Sequence, residues 1–328
     1  MDFRTTVEAP KYPFAISYDT PTLFCGSCFT ENIGSILQKR KMPVMVNPFG
    51  VVYNPISVKI VIESILKTKP FTESDLNFLN GLWFSYNHHS SFSSPQKEEC
   101  LDLINSNLFN ASAFVKRMNC LVVTFGTARV YYLKASNEPV ANCHKAPAKE
   151  FENRLLDVAE IVEEWSELID VLLKVNPDLK ILFTVSPVRH WKDGAVGNQI
   201  SKSILHVAIH QLVGKYPNNA FYFPAYEILM DDLRDYRFYA DDMLHPSKFA
   251  IEYIWERFRE SLLDIKTVAL ISEVEKILQA VNHRPFNPNT TEHKTFIKKI
   301  LEQIQRVKKT YPGIDFSKEE AILLNPSS

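Results

Sequence analysis

No stretch of the chain approaches the ~18 uninterrupted apolar residues that a membrane-spanning helix needs, so no membrane partner is expected. A basic run is lacking too. Lys and Arg number 37 against 38 Asp and Glu, for a formal net charge of −1, which argues against nucleic acid or an anionic lipid surface as the principal partner. The opening Met1-Asp2-Phe3-Arg4-Thr5-Thr6-Val7-Glu8-Ala9-Pro10 carries acids and lacks the continuous apolar core of a signal peptide. The five cysteines, Cys25, Cys28, Cys100, Cys120 and Cys143, are odd in number and irregularly spaced. They predict reduced thiols in a cytoplasmic protein rather than a disulfide framework. Cys25-Gly26-Ser27-Cys28 has C-x-x-C spacing, but no second pair supports zinc and no thioredoxin-like order of elements surrounds it. Internal repeats and low-complexity segments are also missing.

What is present suffices for a sizeable core: 45% hydrophobic and 12% aromatic residues in a chain of 328. Short apolar runs at Thr22–Cys25, Met42–Val46, Cys120–Phe125, Leu179–Val185 and Ala220–Phe223 read as buried strands. Helical spacing appears between them, over Glu31–Lys39, Ser57–Leu66, Phe151–Val175 and Ser201–Gly214, and again over Phe249–Leu263, opened by Pro246 and Ser247. Strands alternating with helices predict parallel βαβ units in a doubly wound sheet. Gly26-Ser27, Gly50, Gly126-Thr127 and Ser186 each follow a proposed strand, so they converge on the edge where such sheets bind ligands. After about Leu263 the character changes. Val268–Val281 and Phe296–Tyr311 read as two helices separated by His283-Arg284-Pro285-Phe286-Asn287-Pro288-Asn289-Thr290-Thr291. The expected division is an α/β domain over 1–265 and a helical extension over 266–328.

Ser27 falls at a strand-to-helix turn, and Asp242 and His245 lie three residues apart in Asp241-Asp242-Met243-Leu244-His245-Pro246-Ser247. Serine becomes a useful nucleophile when a histidine takes its proton and a carboxylate orients the imidazole. Two plainer readings stand beside this one: Ser27 as a helix cap, and the two aspartates as a solvated acidic corner. Asp241 competes with Asp242 at a spacing of four residues. Tyr86-Asn87-His88-His89-Ser90-Ser91 is dense in hydrogen-bonding side chains, with His89 read as a substrate-side residue in preference to a paired-His metal site. Arg189 and His190 follow a strand, overhang the same edge and are read as substrate-binding residues. Arg189 there either binds an anionic substrate group or pairs with a surface acid. Asn142-Cys143-His144-Lys145 sits in a Pro-rich loop and receives no catalytic role.

Gly26-Ser27-Cys28-Phe29 resembles the signature of the GSCFA family, with Thr30 where that name has alanine. Asn47-Pro48-Phe49-Gly50, His89-Ser90-Ser91-Phe92-Ser93, Phe125-Gly126-Thr127-Ala128, Asn142-Cys143-His144-Lys145, Thr184-Val185-Ser186-Pro187-Val188-Arg189-His190 and His245-Pro246-Ser247 agree with it in order. The family is similar to the SGNH, or GDSL-like, hydrolases, and the resemblance implies a flavodoxin-like three-layer α/β/α sandwich that cleaves esters or transfers acyl groups. It implies Ser27 as nucleophile, His245 as base then acid, and Asp242 as the group that fixes the imidazole tautomer. The Ser27 and Gly50 N–H groups are implied as oxyanion donors. No metal or cofactor is expected.

The chain departs from the SGNH pattern at its third donor, an asparagine in a Gly-x-Asn-Asp block. Here the block is Gly126-Thr127-Ala128-Arg129, and alanine has no side-chain donor. Thr127, His89, Asn87 and Arg129 are the candidates to replace it. The expected function is a serine esterase acting through an acyl-enzyme on an O-acylated carbohydrate or another small ester. An acyltransferase with a non-water acceptor, and a non-catalytic glycan- or acyl-binding protein favoured by Ala128, are the alternatives.

Overall fold

The computed structural model describes residues 4–283 and 290–324. The segment 284–289, which includes most of the expected connection between the last helices, lies outside the described residues, as does Met1-Asp2-Phe3.

Five strands form the central sheet: β1 (Thr22–Gly26), β2 (Val44–Val46), β3 (Cys120–Phe125), β4 (Lys180–Val185) and β5 (Ala220–Tyr222). They are all parallel in the order β2-β1-β3-β4-β5, the flavodoxin-like order of doubly wound folds. Register runs Thr22 to Cys120 and Gly26 to Thr124 between β1 and β3, and Phe125 to Val185 between β3 and β4.

The strands are largely apolar because both faces are covered. Leu23, Cys25, Leu121, Val123, Phe125, Ile181 and Phe183 face one layer of helices, α2 (Pro55–Lys67), α4 (Val158–Val175) and α5 (Gly194–Lys215), backed by α3 (Lys97–Val115). Phe24, Cys120, Val122 and Leu182 face the other, made by α1 (Cys28–Lys39) and α6 (Lys248–Leu262), which contribute Phe29, Ile33, Ile254 and Phe258. The period of two along each strand thus divides two cores, and the architecture is a three-layer α/β/α sandwich.

Between β3 and α4 the structure departs from the sequence expectation. Phe151–Leu155 is a strand, paired antiparallel to Arg129–Leu133 in a small three-stranded sheet with Glu138–Val140. The expected helix over Phe151–Val175 is therefore shortened to Val158–Val175, where Asp157 caps the start by accepting from Glu160 N–H at 2.8 Å. Leu155 happens to continue the helical spacing, but its backbone hydrogen bonds go to a strand more than twenty residues away in sequence. The helix expected over Ser201–Gly214 is extended at its N-terminus to Gly194.

The C-terminal helices α7 (Ile265–Asn282), α8 (Thr291–Thr310) and α9 (Ser317–Leu324) enclose their own cluster of Val274, Ile277, Ile304 and Phe316. They are fastened to the end of α1 by Arg40 to Glu275 (2.5 Å) and Lys41 to Glu319 (2.8 Å). Among the described residues no helix is long and apolar enough to cross a membrane.

Candidate active site

In a sheet of order 2-1-3-4-5 the chain reverses direction between β1 and β3, leaving a crevice beyond their C-terminal ends. Ser27 follows β1 and Gly126 follows β3, one on each side of that crevice. Gly26 holds φ +137, and a Cβ there would overlap the Thr124 carbonyl, so β1 closes against β3 only with glycine at this position. Asn47 clamps the turn. Its Oδ1 accepts from Gly26 N–H at 2.8 Å, its own N–H donates to the Phe24 carbonyl at 2.8 Å, and its Nδ2 donates to Glu31 Oε2 at 3.0 Å.

Ser27 stands at the N-cap position of α1, yet its side chain makes no capping hydrogen bond. At 1% exposure its hydroxyl is inside the protein. It contacts the Cys28 thiol, whose pKa burial raises and the Ser27 hydrogen bond lowers. It also borders Gly126: a Cβ built on that glycine would lie 3.0 Å from Ser27 Oγ and 3.2 Å from His190 Nε2.

Asp242 and His245 come together at the turn before α6. Asp242 Oδ2 is 2.5 Å from His245 Nδ1, while Oδ1 accepts the backbone N–H groups of Leu244 and His245, each at 2.9 Å. Those bonds, His245 N–H foremost, pull the Asp242 carboxyl down to about 2. Ser247 caps α6 by accepting from Ala250 N–H at 3.3 Å. Pro246 lines an apolar cleft together with Cys28, Ser186 and Val188, so the His245 turn abuts the start of α1. Among the described residues no hydrogen bond joins Ser27 to His245.

The expected oxyanion donors are engaged elsewhere. Ser27 N–H donates to the Thr124 carbonyl at 3.1 Å as part of the β1–β3 ladder, and Gly50 N–H donates to the Asn47 carbonyl at 2.7 Å. Thr127 Oγ1 accepts from Arg129 N–H at 3.1 Å and lies 3.1 Å from Ser201 Oγ. Ala128 is wholly buried in the larger core, where an asparagine would place an amide among apolar side chains.

His89 packs its Cβ against Gly50, which leaves no room for a Cβ there, and its Nδ1 lies 3.0 Å from Ser91 Oγ. Its neighbour His88 turns into an aromatic box, stacked on Phe49 with ring centroids 4.3 Å apart and flanked by Phe71 and Phe92. Both His88 ring nitrogens are buried without a partner among the described residues. Burial, and then the nearby His144, push its pKa down to about 3. The folded form therefore stays neutral while an unfolded chain takes up a proton near pH 6.5, and stability falls as pH drops from about 6.5 toward 3. Replacing His88 with phenylalanine is expected to stabilise the protein by about 1–3 kcal/mol at neutral pH, because two buried unsatisfied groups disappear. It should also flatten the acid-side slope, which urea unfolding at pH 7 and pH 5 measures.

Arg189 is half-buried and makes no salt bridge among the described residues. It lies close enough to Tyr226 and Tyr239 to lower the pKa of each against the raising effect of burial. His190 is held by its backbone N–H, which donates to Asn198 Oδ1 at 2.9 Å, and by an edge contact with the Tyr53 ring at 5.6 Å.

Sequence reasoning missed Lys202. It is completely buried, and its Nζ donates to the carbonyls of Gly126 and Ser186, each at 2.5 Å, tying together the loops after β3 and β4. Burial pushes its pKa down to about 7. The signal was in the spacing: Asn198, Ser201 and Lys202 extend the stripe Leu205, Ala208, Ile209, Leu212 toward the crevice, so polar residues occupy core positions at that end of α5.

The GSCFA family model matches residues 21–258, well over half the chain. The chain belongs to the GSCFA family. A second model, the C-terminal domain of GSCFA domain proteins, matches residues 274–325 and so takes in most of α7 to α9 of this GSCFA chain. A search of curated proteins finds no match. Among solved structures, a carbohydrate esterase family 3 from Talaromyces cellulolyticus is similar at 10% identity, over 77% of this chain and 99% of that chain, with a TM-score of 0.33. At that score the likeness carries no argument about the GSCFA site.

Proposed function

We propose that this GSCFA protein is a serine esterase that works through an acyl-enzyme. The observation that carries the proposal is the Asp242–His245 pair, with Oδ2 to Nδ1 at 2.5 Å and the other carboxylate oxygen pinned by two backbone N–H groups. The pair is half-exposed, and a carboxylate engaged through both oxygens can hold one imidazole tautomer in place.

In this reading Ser27 Oγ attacks the ester carbonyl carbon as its proton passes to His245 Nε2. The tetrahedral intermediate collapses, the carbon–alkoxide bond breaks, and the His245 proton goes to the leaving alkoxide. Water then repeats the sequence and frees Ser27. The Ser27–His245 hydrogen bond forms on substrate binding, as catalytic hydrogen bonds that are long in unliganded enzymes often do. Arg189, with no acid partner among the described residues, and His89 are assigned to the substrate side. The assigned substrate is a small ester such as an O-acylated carbohydrate.

A fluorophosphonate probe tests the proposal. Wild type should be labelled, and Ser27→Ala and His245→Ala should not. Labelling that survives Ser27→Ala would assign the wrong serine. The commitment of the Ser27 and Gly50 N–H groups within the backbone favours a second reading, a binding protein on the same scaffold. A correctly folded wild type that never labels would select it.

A further inference from the structure

Of the groups expected to receive a developing oxyanion, the Ser27 and Gly50 N–H and the Thr127 hydroxyl are bonded elsewhere and Ala128 has no donor to offer. Of the other expected replacements, Arg129 pairs with Asp193 and His89 turns its Nδ1 to Ser91, and among the described residues neither His89 nor Asn87 hydrogen-bonds Ser27. An esterase still requires a donor beside its nucleophile, and the geometry places one at Gly126. A single point there, the Cβ position that glycine leaves vacant, is 3.0 Å from Ser27 Oγ and 3.2 Å from His190 Nε2. The hydroxyl and the ring nitrogen thus border one small gap that any larger residue at 126 would obstruct. We propose that His190 Nε2–H is the side-chain oxyanion donor of this site, in place of the asparagine that Ala128 replaces. The assignment rests on Ser27 being the nucleophile.

His190 is built to donate in this way and poorly suited to be the base. A base must become an imidazolium, and the ring is buried close to Lys202 and His245; burial, Lys202 and then His245 together push its pKa down to about 4. Among the described residues no carboxylate stands by to stabilise a positive charge, and the nearby Asp193 is engaged with Arg129 at 3.3 Å. Neutral imidazole keeps one N–H, and a neutral donor can face a growing negative charge without proton transfer. The ring is also fixed in advance, through its backbone bond to Asn198 and its edge contact with Tyr53. Lys202 ties down the same two loops: its Nζ donates to the Gly126 and Ser186 carbonyls.

The test uses the full chain with p-nitrophenyl acetate and the fluorophosphonate probe. His190→Ala is expected to lower kcat ~10²–10³-fold with KM little changed, the usual cost of one lost oxyanion donor. His190→Phe, which keeps a ring against Tyr53 and so guards against misfolding, should fall as far. His190→Gln, which restores a neutral N–H, should recover at least ~10-fold of the loss, a rescue that neither a packing role nor a base role explains. Folded Ala and Phe variants with undiminished kcat would overturn the assignment, as would a Gln variant no better than Ala. The two readings separate at wild type: absence of labelling there removes the esterase and the His190 role together, whereas a labelled wild type with an unaffected His190→Ala removes only the latter.

Discussion

Asp242→Asn is expected to lower the acylation rate by ~10⁴ while leaving the fold intact, the scale seen when an orienting carboxylate becomes an amide in a serine triad. The reason lies in which oxygen does what. Oδ1 accepts two backbone N–H groups, from Leu244 and His245, so in the asparagine variant the carbonyl oxygen must stay at that position. The amide NH₂ is then forced into the place of Oδ2, 2.5 Å from His245 Nδ1. An NH₂ there can only donate, so Nδ1 becomes the acceptor and the ring proton moves to Nε2, where it blocks acceptance of the Ser27 proton. Flipping the amide would cost both backbone bonds. Asp242→Ala removes the orienter without imposing the wrong tautomer and should lose less. Fluorophosphonate labelling rates for the three proteins decide it. An asparagine variant that labels as fast as wild type would mean that His245 is not the base.

Gly26→Ala is expected to destabilise the protein by about 4 kcal/mol, from strain at a disfavoured φ and overpacking against backbone. At φ +137 an L side chain is strained wherever it points, and here it would meet the Thr124 carbonyl, the acceptor of the Ser27 N–H. Backbone does not yield as a flexible side chain would. The β1–β3 register at Gly26 and Thr124 must open, and with it the Asn47 clamp on the Gly26 N–H. Urea unfolding and soluble yield read the effect. A shift below about 0.5 kcal/mol, the ordinary range for a surface change, would show that the turn adjusts freely.

The α/β/α layering was legible because parallel strands covered on both faces are predominantly apolar, as Cys120–Phe125 and Lys180–Val185 are. The place of Ser27 at a strand-to-helix turn was legible for a similar local reason: Thr22–Gly26 ends in glycine and an amphipathic pattern follows at once. The pairing of Asp242 with His245 spans three residues, within the reach of one turn. By contrast, Phe151–Leu155 is a strand only because Arg129–Leu133 lies beside it, and its apolar spacing continues into the next helix.

What the sequence by itself determined was the class of fold, the turn that carries Ser27, and the carboxylate–imidazole pair, all consequences of short-range pattern. Only the tertiary structure decided which donors remain free. Hydrogen-bond capacity is shared across strands that meet late, so the Ser27 N–H is consumed by Thr124 and the Thr127 hydroxyl by Ser201 and Arg129. The same folding brings His190 to the gap over Gly126 and buries Lys202 behind it. The sequence placed His190 on the same edge as Ser27 and marked Lys202 by its helical spacing, but their approach to Ser27 across Gly126 is set by the order of β1, β3 and β4 in the sheet.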